Sequence, residues 1–204
     1  MDSSDTPQRL TDRKRAAIVG AAIEEFLAAG YDATSMDRIA ARANVSKRTV
    51  YNHFPSKEAL FAAILHRLWD ASQQGDAPAY RADEPLRTQL LDLLGRKLRL
   101  LNDESFLSLA RVAIAAGIHS PERARDMVAR LGEREEDLTV WVRAAAADGR
   151  LKTDDPRFAA LQLQVLVKGF AFWPQVTMGQ APLGEEEQSQ VAESVADLFL
   201  ARYA

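Results

Sequence analysis

Thr34-Ser35-Met36-Asp37-Arg38-Ile39-Ala40-Ala41-Arg42-Ala43-Asn44-Val45-Ser46-Lys47-Arg48-Thr49-Val50-Tyr51-Asn52-His53-Phe54 reads as two short helices joined by a tight turn. Ser35 and Ser46 are natural N-caps, because each hydroxyl can accept from an orphan amide one turn further on. Between the helices, Ala43-Asn44-Val45 must reverse the chain, and Asn44 stands where a positive φ is required, which Asn tolerates better than any residue but Gly. Ile39, Ala40, Val45 and Val50 supply one apolar face. Opposite Val45, Val50 and Phe54, the residues Lys47, Arg48, Thr49, Asn52 and His53 project outward. A second helix armed in this way suits the major groove of DNA, with cations for phosphate and amide or hydroxyl groups for base edges. Arg48 has the donor geometry for guanine and Asn52 the donor–acceptor pair for adenine.

The flanks make the reading specific. A helix over about Thr11 to Ala29 precedes Gly30-Tyr31-Asp32-Ala33-Thr34-Ser35, and Tyr51-Asn52-His53-Phe54-Pro55-Ser56-Lys57-Glu58-Ala59-Leu60-Phe61 follows the reading helix. Taken together, this amino-terminal region resembles the DNA-binding domain of the TetR family of one-component repressors. Two positions depart from the family pattern: Asn44 replaces a frequent Gly, and Arg48 stands where Gly or Pro is common, adding a cation to the reading surface. The resemblance implies an all-α chain with an amino-terminal three-helix helix-turn-helix domain and a larger helical domain for ligand binding and dimerisation. It also implies that Tyr51 and Lys57 grip phosphate, with Thr34 and Ser35 doing likewise at the start of the preceding helix. A two-fold dimer reading a pseudo-palindromic double-stranded operator follows, since one head contacts too few base pairs for genomic specificity.

Composition agrees. The chain has 204 residues, 47% of them hydrophobic, enough to bury a substantial core. Cysteine is absent, which excludes disulfides, thiolate catalysis and cysteine metal sites. No signal peptide and no apolar run of membrane-spanning length is found, so a cytoplasmic protein without membrane contact is expected. The formal net charge of −3 conceals an asymmetry: residues 9–68 carry ten Lys/Arg against six Asp/Glu, while residues 69–204 carry sixteen against twenty-one. A basic amino-terminal third on an acidic remainder fits a nucleic-acid head on a body that does not touch DNA.

The remainder is helical by punctuation and period, with no strand pattern and no internal repeat. Residues 1–8 are expected as a disordered tail, 9–55 as the helix-turn-helix domain, 56–75 as a connecting helix capped by Ser56, and 76–204 as the ligand-binding and dimerisation domain. The connecting helix should end near Gln74-Gly75, followed by the linker Asp76-Ala77-Pro78. Further helices should begin near Asp83-Glu84-Pro85, span about Ser105 to Ala116, and begin at Ser120-Pro121 and at Asp155-Pro156, each of the last two with proline at the first helical position. The Ser120 segment reaches towards Asp148-Gly149, with Gly132 as the place for a bend. From Phe158 to Trp173 a helix is apolar nearly all round and must be covered on two sides. A closing helix over about Glu186 to Arg202 offers matching surface, and with the helix containing Gln162 to Trp173 and their symmetry mates it would form a four-helix interface. The stretch from Phe106-Leu107-Ser108-Leu109-Ala110-Arg111-Val112 to Ser120-Pro121-Glu122-Arg123 resembles the AefR-like branch of the family's ligand-binding domains.

That resemblance implies a small-molecule effector. The expected pocket lining is Phe106, Trp141, Phe170, Trp173 and Met178, with Arg111 and His119 as polar anchors, which favours a hydrophobic or aromatic compound. Other chemistry is thinly supported. The three histidines, His53, His66 and His119, show no i, i+4 pairing, the His66 and Asp70 pair falls far short of a metal site, and neither a nucleophile elbow nor a phosphate loop is present. Neither metal nor cofactor is expected. An all-α enzyme would need a convergent polar constellation that the sequence lacks, and a protein-binding adaptor without DNA binding would have lost the outward cations Lys47, Arg48 and Lys57.

Overall fold

The structure is a computed structural model that describes residues 7–72, 79–122, 124–125 and 137–204. The helices, in order, are α1 (Pro7–Ala29), α2 (Met36–Arg42), α3 (Lys47–His53), α4 (Lys57–Ser72), α5 (Leu86–Leu101), α6 (Glu104–Ile118), α7 (Asp137–Ala147), α8 (Pro156–Ala171), α9 (Trp173–Thr177) and α10 (Glu185–Tyr203). Among the described residues there is no strand, and no helix is long and apolar enough to cross a membrane. Two compact units divide the chain: residues 1–70 with 108–128, and residues 71–107 with 129–204. Residues 108–128, read from the sequence as part of the body, thus group with the head, and α6 begins in one unit and ends in the other. The expected end of the connecting helix, the linker after it and the bend at Gly132 lie outside the described residues.

In the head, α1 starts earlier than the apolar period suggests. Pro7 and Gln8, expected in the tail, open the helix, and a proline costs nothing in the first turn, where its missing N–H would be an orphan. Ile18, Val19, Ala22 and Phe26 of α1, Ile39 of α2, Val50 of α3 and Leu60, Phe61 and Ile64 of α4 are buried. One carboxylate interrupts this apolar set. Glu25 is 4% exposed, and its Oε1 accepts from Arg42 Nε at 2.6 Å while Oε2 forms an ion pair with Arg38 Nε at 2.8 Å. Arg42 also reaches Glu24 Oε2 at 2.9 Å, so α2 is fastened to α1 through both of its arginines.

In the second unit, α8 packs against α5, α7, α9 and α10, and α10 also lies along α5. Asp155 caps α8 by accepting from the Phe158 amide at 3.0 Å, as its sequence position before Pro156 predicts. Leu163, Gln164 and Val167 with three alanines, Ala159, Ala160 and Ala171, form the buried side of α8, where the small residues let neighbouring helices approach closely. The expected single helix from Phe158 to Trp173 is broken at Phe172, whose φ is −140° and ψ −61°. The cause is Pro174, whose ring would clash with the carbonyl one turn back in an unbroken helix, so the chain restarts as α9. At α10, Glu187 Oε2 accepts from the Gly184 amide at 2.8 Å, and the three consecutive glutamates favour the positive end of the helix dipole. A buried polar knot anchors the entry to α5: Gln89 accepts from the Arg81 amide at 2.9 Å and the Trp141 indole N–H at 3.2 Å, and donates to the Arg81 and Glu84 carbonyls.

The Arg42 hydrogen bond, helped by the charge of Arg38, holds the Glu25 carboxyl below its ordinary value although burial opposes it. A folded pKa below the unfolded one means that the stabilisation is present above the unfolded value and lost as pH falls through the folded one. Glu25→Gln should therefore unfold at lower urea than the parent at neutral pH, and the difference should shrink as pH drops from the ordinary glutamate value of about 4.3 towards the lower folded one. Parallel urea curves separated by the same amount at about pH 7 and about pH 3 would show that the charge of Glu25 is not what fastens α2.

Candidate nucleic-acid interface

Two seven-residue helices cannot hold their own shape, so the geometry of the reading surface is set by their ends and by what they bury. Ser35 Oγ accepts from the Arg38 amide at 3.3 Å and Ser46 Oγ from the Thr49 amide at 3.1 Å, the two caps anticipated from the sequence. Ser46 Oγ is also hydrogen-bonded to Thr49 Oγ1 at 2.8 Å, one hydroxyl donating to the other. Asn44 has φ +52°, the left-handed conformation that the turn demands. Its neighbours close the turn, with the Asn44 amide donating to Ala41 and the Val45 amide to Ala40. At the far end Phe54 is buried, and the Arg15 guanidinium lies 4.4 Å over its ring.

Within α3 only Val50 is buried. At roughly 100° per residue, Arg48 and Asn52 both fall roughly 160° around the helix from Val50, one turn apart on the outward pole. Both are exposed. Lys47 and Tyr51 take one flank, exposed, and Thr49 and His53 take the other, half-buried. Lys47 is paired across the turn with Asp37 at 2.8 Å, a hydrogen bond that also raises its pKa above the ordinary lysine value.

The two helix-start residues and Lys57 sit differently from the groove residues. Ser35 is exposed at the cap of α2, whereas Thr34 is 2% exposed and its hydroxyl bonds inward to the Gly30 carbonyl at 2.8 Å and the Glu25 carbonyl at 3.1 Å. Lys57 is half-buried, and its ammonium donates to the carbonyls of Tyr31, Thr34 and Asp32 at 2.8, 3.0 and 3.3 Å. Sequence reading missed the fastening role of Glu25, Arg38 and Arg42. A signal for it exists, since Glu25 falls on the buried stripe of α1 beside Ala21, Ala22 and Phe26, where a carboxylate demands a cation.

The expected effector lining divides between the two units. In the second unit Phe106 and Trp141 are buried and Phe170, Trp173 and Met178 are 53%, 46% and 72% exposed, whereas Arg111 and His119 belong to the unit that holds the head. Phe172, absent from the expected lining, links two of its members, with ring centroids 6.3 Å from Phe106 and 5.0 Å from Trp173. Among the described residues, no cluster of three or more His, Cys, Asp or Glu side chains could hold a metal ion.

Comparison with known proteins gives the same reading at both ends of the chain. Residues 18–64 match the family described as bacterial regulatory proteins, tetR family, and residues 88–204 match the AefR-like transcriptional repressor, C-terminal domain. The HTH-type transcriptional regulator RutR of Escherichia coli K12 is 28% identical over 172 residues, covering 82% of this chain and 79% of that protein. A crystal structure of a TetR family transcriptional regulator from Pseudomonas syringae pv. tomato is 57% identical, with a TM-score of 0.83 over 93% of this chain and 96% of that one. The flavonoid-responsive regulator FrrA is 32% identical, with a TM-score of 0.67 over 94% and 97% of the two chains. Capped reading helix, all-helical body and matches at both ends agree: the chain belongs to the TetR family of bacterial transcriptional regulators and is a DNA-binding regulator.

Proposed function

We propose that this regulator is a homodimeric repressor that reads a pseudo-palindromic operator through α3 and leaves it when a hydrophobic or aromatic small molecule binds the body. The observation that carries the reading is the outward pair Arg48 and Asn52, held opposite the buried Val50 on a helix capped at its first turn. Arg48 reads guanine O6 and N7 and Asn52 reads adenine N6 and N7, with Thr49 and His53 lining the same groove. Lys47, Tyr51 and Ser35 hold the flanking phosphates, and the Lys47–Asp37 pair opens in exchange for phosphate at little cost because both partners are well exposed.

Dimerisation is supported by the outer side of α8. Phe158, Leu161 and Val165 are 54%, 51% and 60% exposed and fall within a roughly 60° arc of the helix, with Leu198 of α10 59% exposed. An exposed apolar arc of this kind is what a two-fold four-helix contact buries. Effector control is typical of the family, and the flavonoid-responsive relative supports an aromatic ligand. The ligand must bind the DNA-incompetent arrangement better than the competent one, since equal affinity shifts nothing.

Three measurements test these parts. Arg48→Ala should weaken binding to a duplex selected by the parent protein from a random pool, and relax preference at one base pair by about 1–3 kcal/mol; unchanged affinity and base preference would remove Arg48 from the reading surface. Leu161→Glu with Val165→Glu should convert the sedimenting species from dimer to monomer at micromolar concentration, because each half of the contact would bury unpaired carboxylates; a dimer that persists places the interface elsewhere. Flavonoids that raise the melting temperature should also release the selected duplex. Compounds that stabilise the protein yet leave duplex affinity untouched would rule out inducer control by that class.

A further inference from the structure

Lys57, in the first turn of α4, has three N–H donors and three carbonyl acceptors, those of Tyr31, Thr34 and Asp32. Its ammonium also lies 4.4 Å over the Tyr31 ring. The neighbouring Glu58 accepts from the Tyr31 hydroxyl at 3.3 Å, so two consecutive residues of α4 hold the backbone and the side-chain tip of one tyrosine. Tyr31 is itself 7% exposed and packs on Phe26 and Phe61, with ring centroids 5.2 and 5.1 Å apart. Gly30, at φ +81°, reverses the chain after α1 and so sets the course of the backbone that carries these carbonyls. The same short turn ends at Ser35, the cap of α2.

A phosphate contact by Lys57 would have to displace carbonyl bonds of 2.8, 3.0 and 3.3 Å. An intramolecular role needs no rearrangement. The turn from Gly30 to Ser35 decides where α2 starts, and α4 is the helix by which the chain leaves the helix-turn-helix. We propose that Lys57 is a positioning residue: an ammonium clip that locks the first turn of α4 onto the turn between α1 and α2, so that the orientation of the reading helix follows α4. This rests on the DNA-binding reading and assigns Lys57 a part in it other than phosphate contact. A lysine is required, because a planar guanidinium keeps the charge but cannot converge three N–H groups on carbonyls around one point.

The test compares Lys57→Arg, Lys57→Met and the parent on duplexes that the parent protein selects from a random pool. The clip expects both variants to bind about tenfold more weakly, with the slope of log affinity against log salt unchanged. It also expects both to discriminate less against duplexes with one base pair inserted between half-sites, a readout that loss of stability alone does not move. A phosphate contact expects the opposite: Lys57→Arg binding like the parent, and Lys57→Met losing about 0.9 from the salt slope. That result overturns the clip, as does spacing discrimination equal to the parent's in both variants. Should the variants unfold, the parent protein still decides. The clip expects the Lys57 ammonium resonance to keep its shift when duplex is added, and a DNA-induced shift with coupling to phosphorus overturns it. If the parent selects no duplex at all, the DNA-binding reading falls and the clip with it; every other failing outcome overturns the clip alone.

Discussion

A reading helix of seven residues is too short to be stable by itself, and the head is organised around that constraint. Isolated helices become self-sustaining only at about 12–15 residues, so α3 depends on what grips it from outside. One side chain, Val50, is fully buried, a serine cap closes the first turn, and Phe54 enters the core just beyond the last. Fixing so little of α3 in the core has a functional consequence. Six of its seven side chains remain at least partly accessible, and the two farthest from the anchor are an arginine and an asparagine. A longer helix would gain stability by burying more residues and would lose reading surface in proportion.

The charge arrangement follows a related logic. The head is basic, yet two of its arginines, Arg38 and Arg42, are held by carboxylates of α1 rather than left for DNA. A buried carboxylate is costly unless paired, and Glu25 meets that requirement with two guanidinium partners. The pairing fixes α2 relative to α1. The Lys57 ammonium, surrounded by carbonyls, belongs to the same economy of cations used internally.

Local chemistry was legible in the sequence wherever one residue dictates a backbone state. The caps Ser35, Ser46 and Asp155, the positive φ at Asn44 and the helix start at Pro156 all stand where their side chains require. What escaped reading depends on contacts between residues far apart in the chain. Glu25 and Arg42 are 17 positions apart, and Lys57 and Tyr31 are 26, so no periodic pattern links them. The aromatic residues of the body show a second limit. Phe106, Trp141, Phe170 and Trp173 look alike as hydrophobic positions, yet two are buried and two are exposed, because helical phase and the break before Pro174 decide which way each faces. The break itself was signalled by Pro174, which cannot sit inside an unbroken helix.

Helical phase divides the exposed apolar residues of α8 into two groups. Exposed apolar residues scattered singly are normal on any protein and need no partner. Phe158, Leu161 and Val165 are not scattered: they share one arc, whereas Phe170, equally exposed on the same helix, lies roughly 120–180° away from them. Phe170 is therefore not explained by the contact that would cover the other three. On the inner side the same helix presents alanines at Ala159, Ala160 and Ala171, which suit close packing against α5, α7 and α10 and would bury little area across a dimer contact. Leu163 and Val167 fill the same inner side, so the outer apolar arc is additional to the contacts the helix makes within its own chain. Under the proposed homodimer, that additional arc is the surface a second copy would cover.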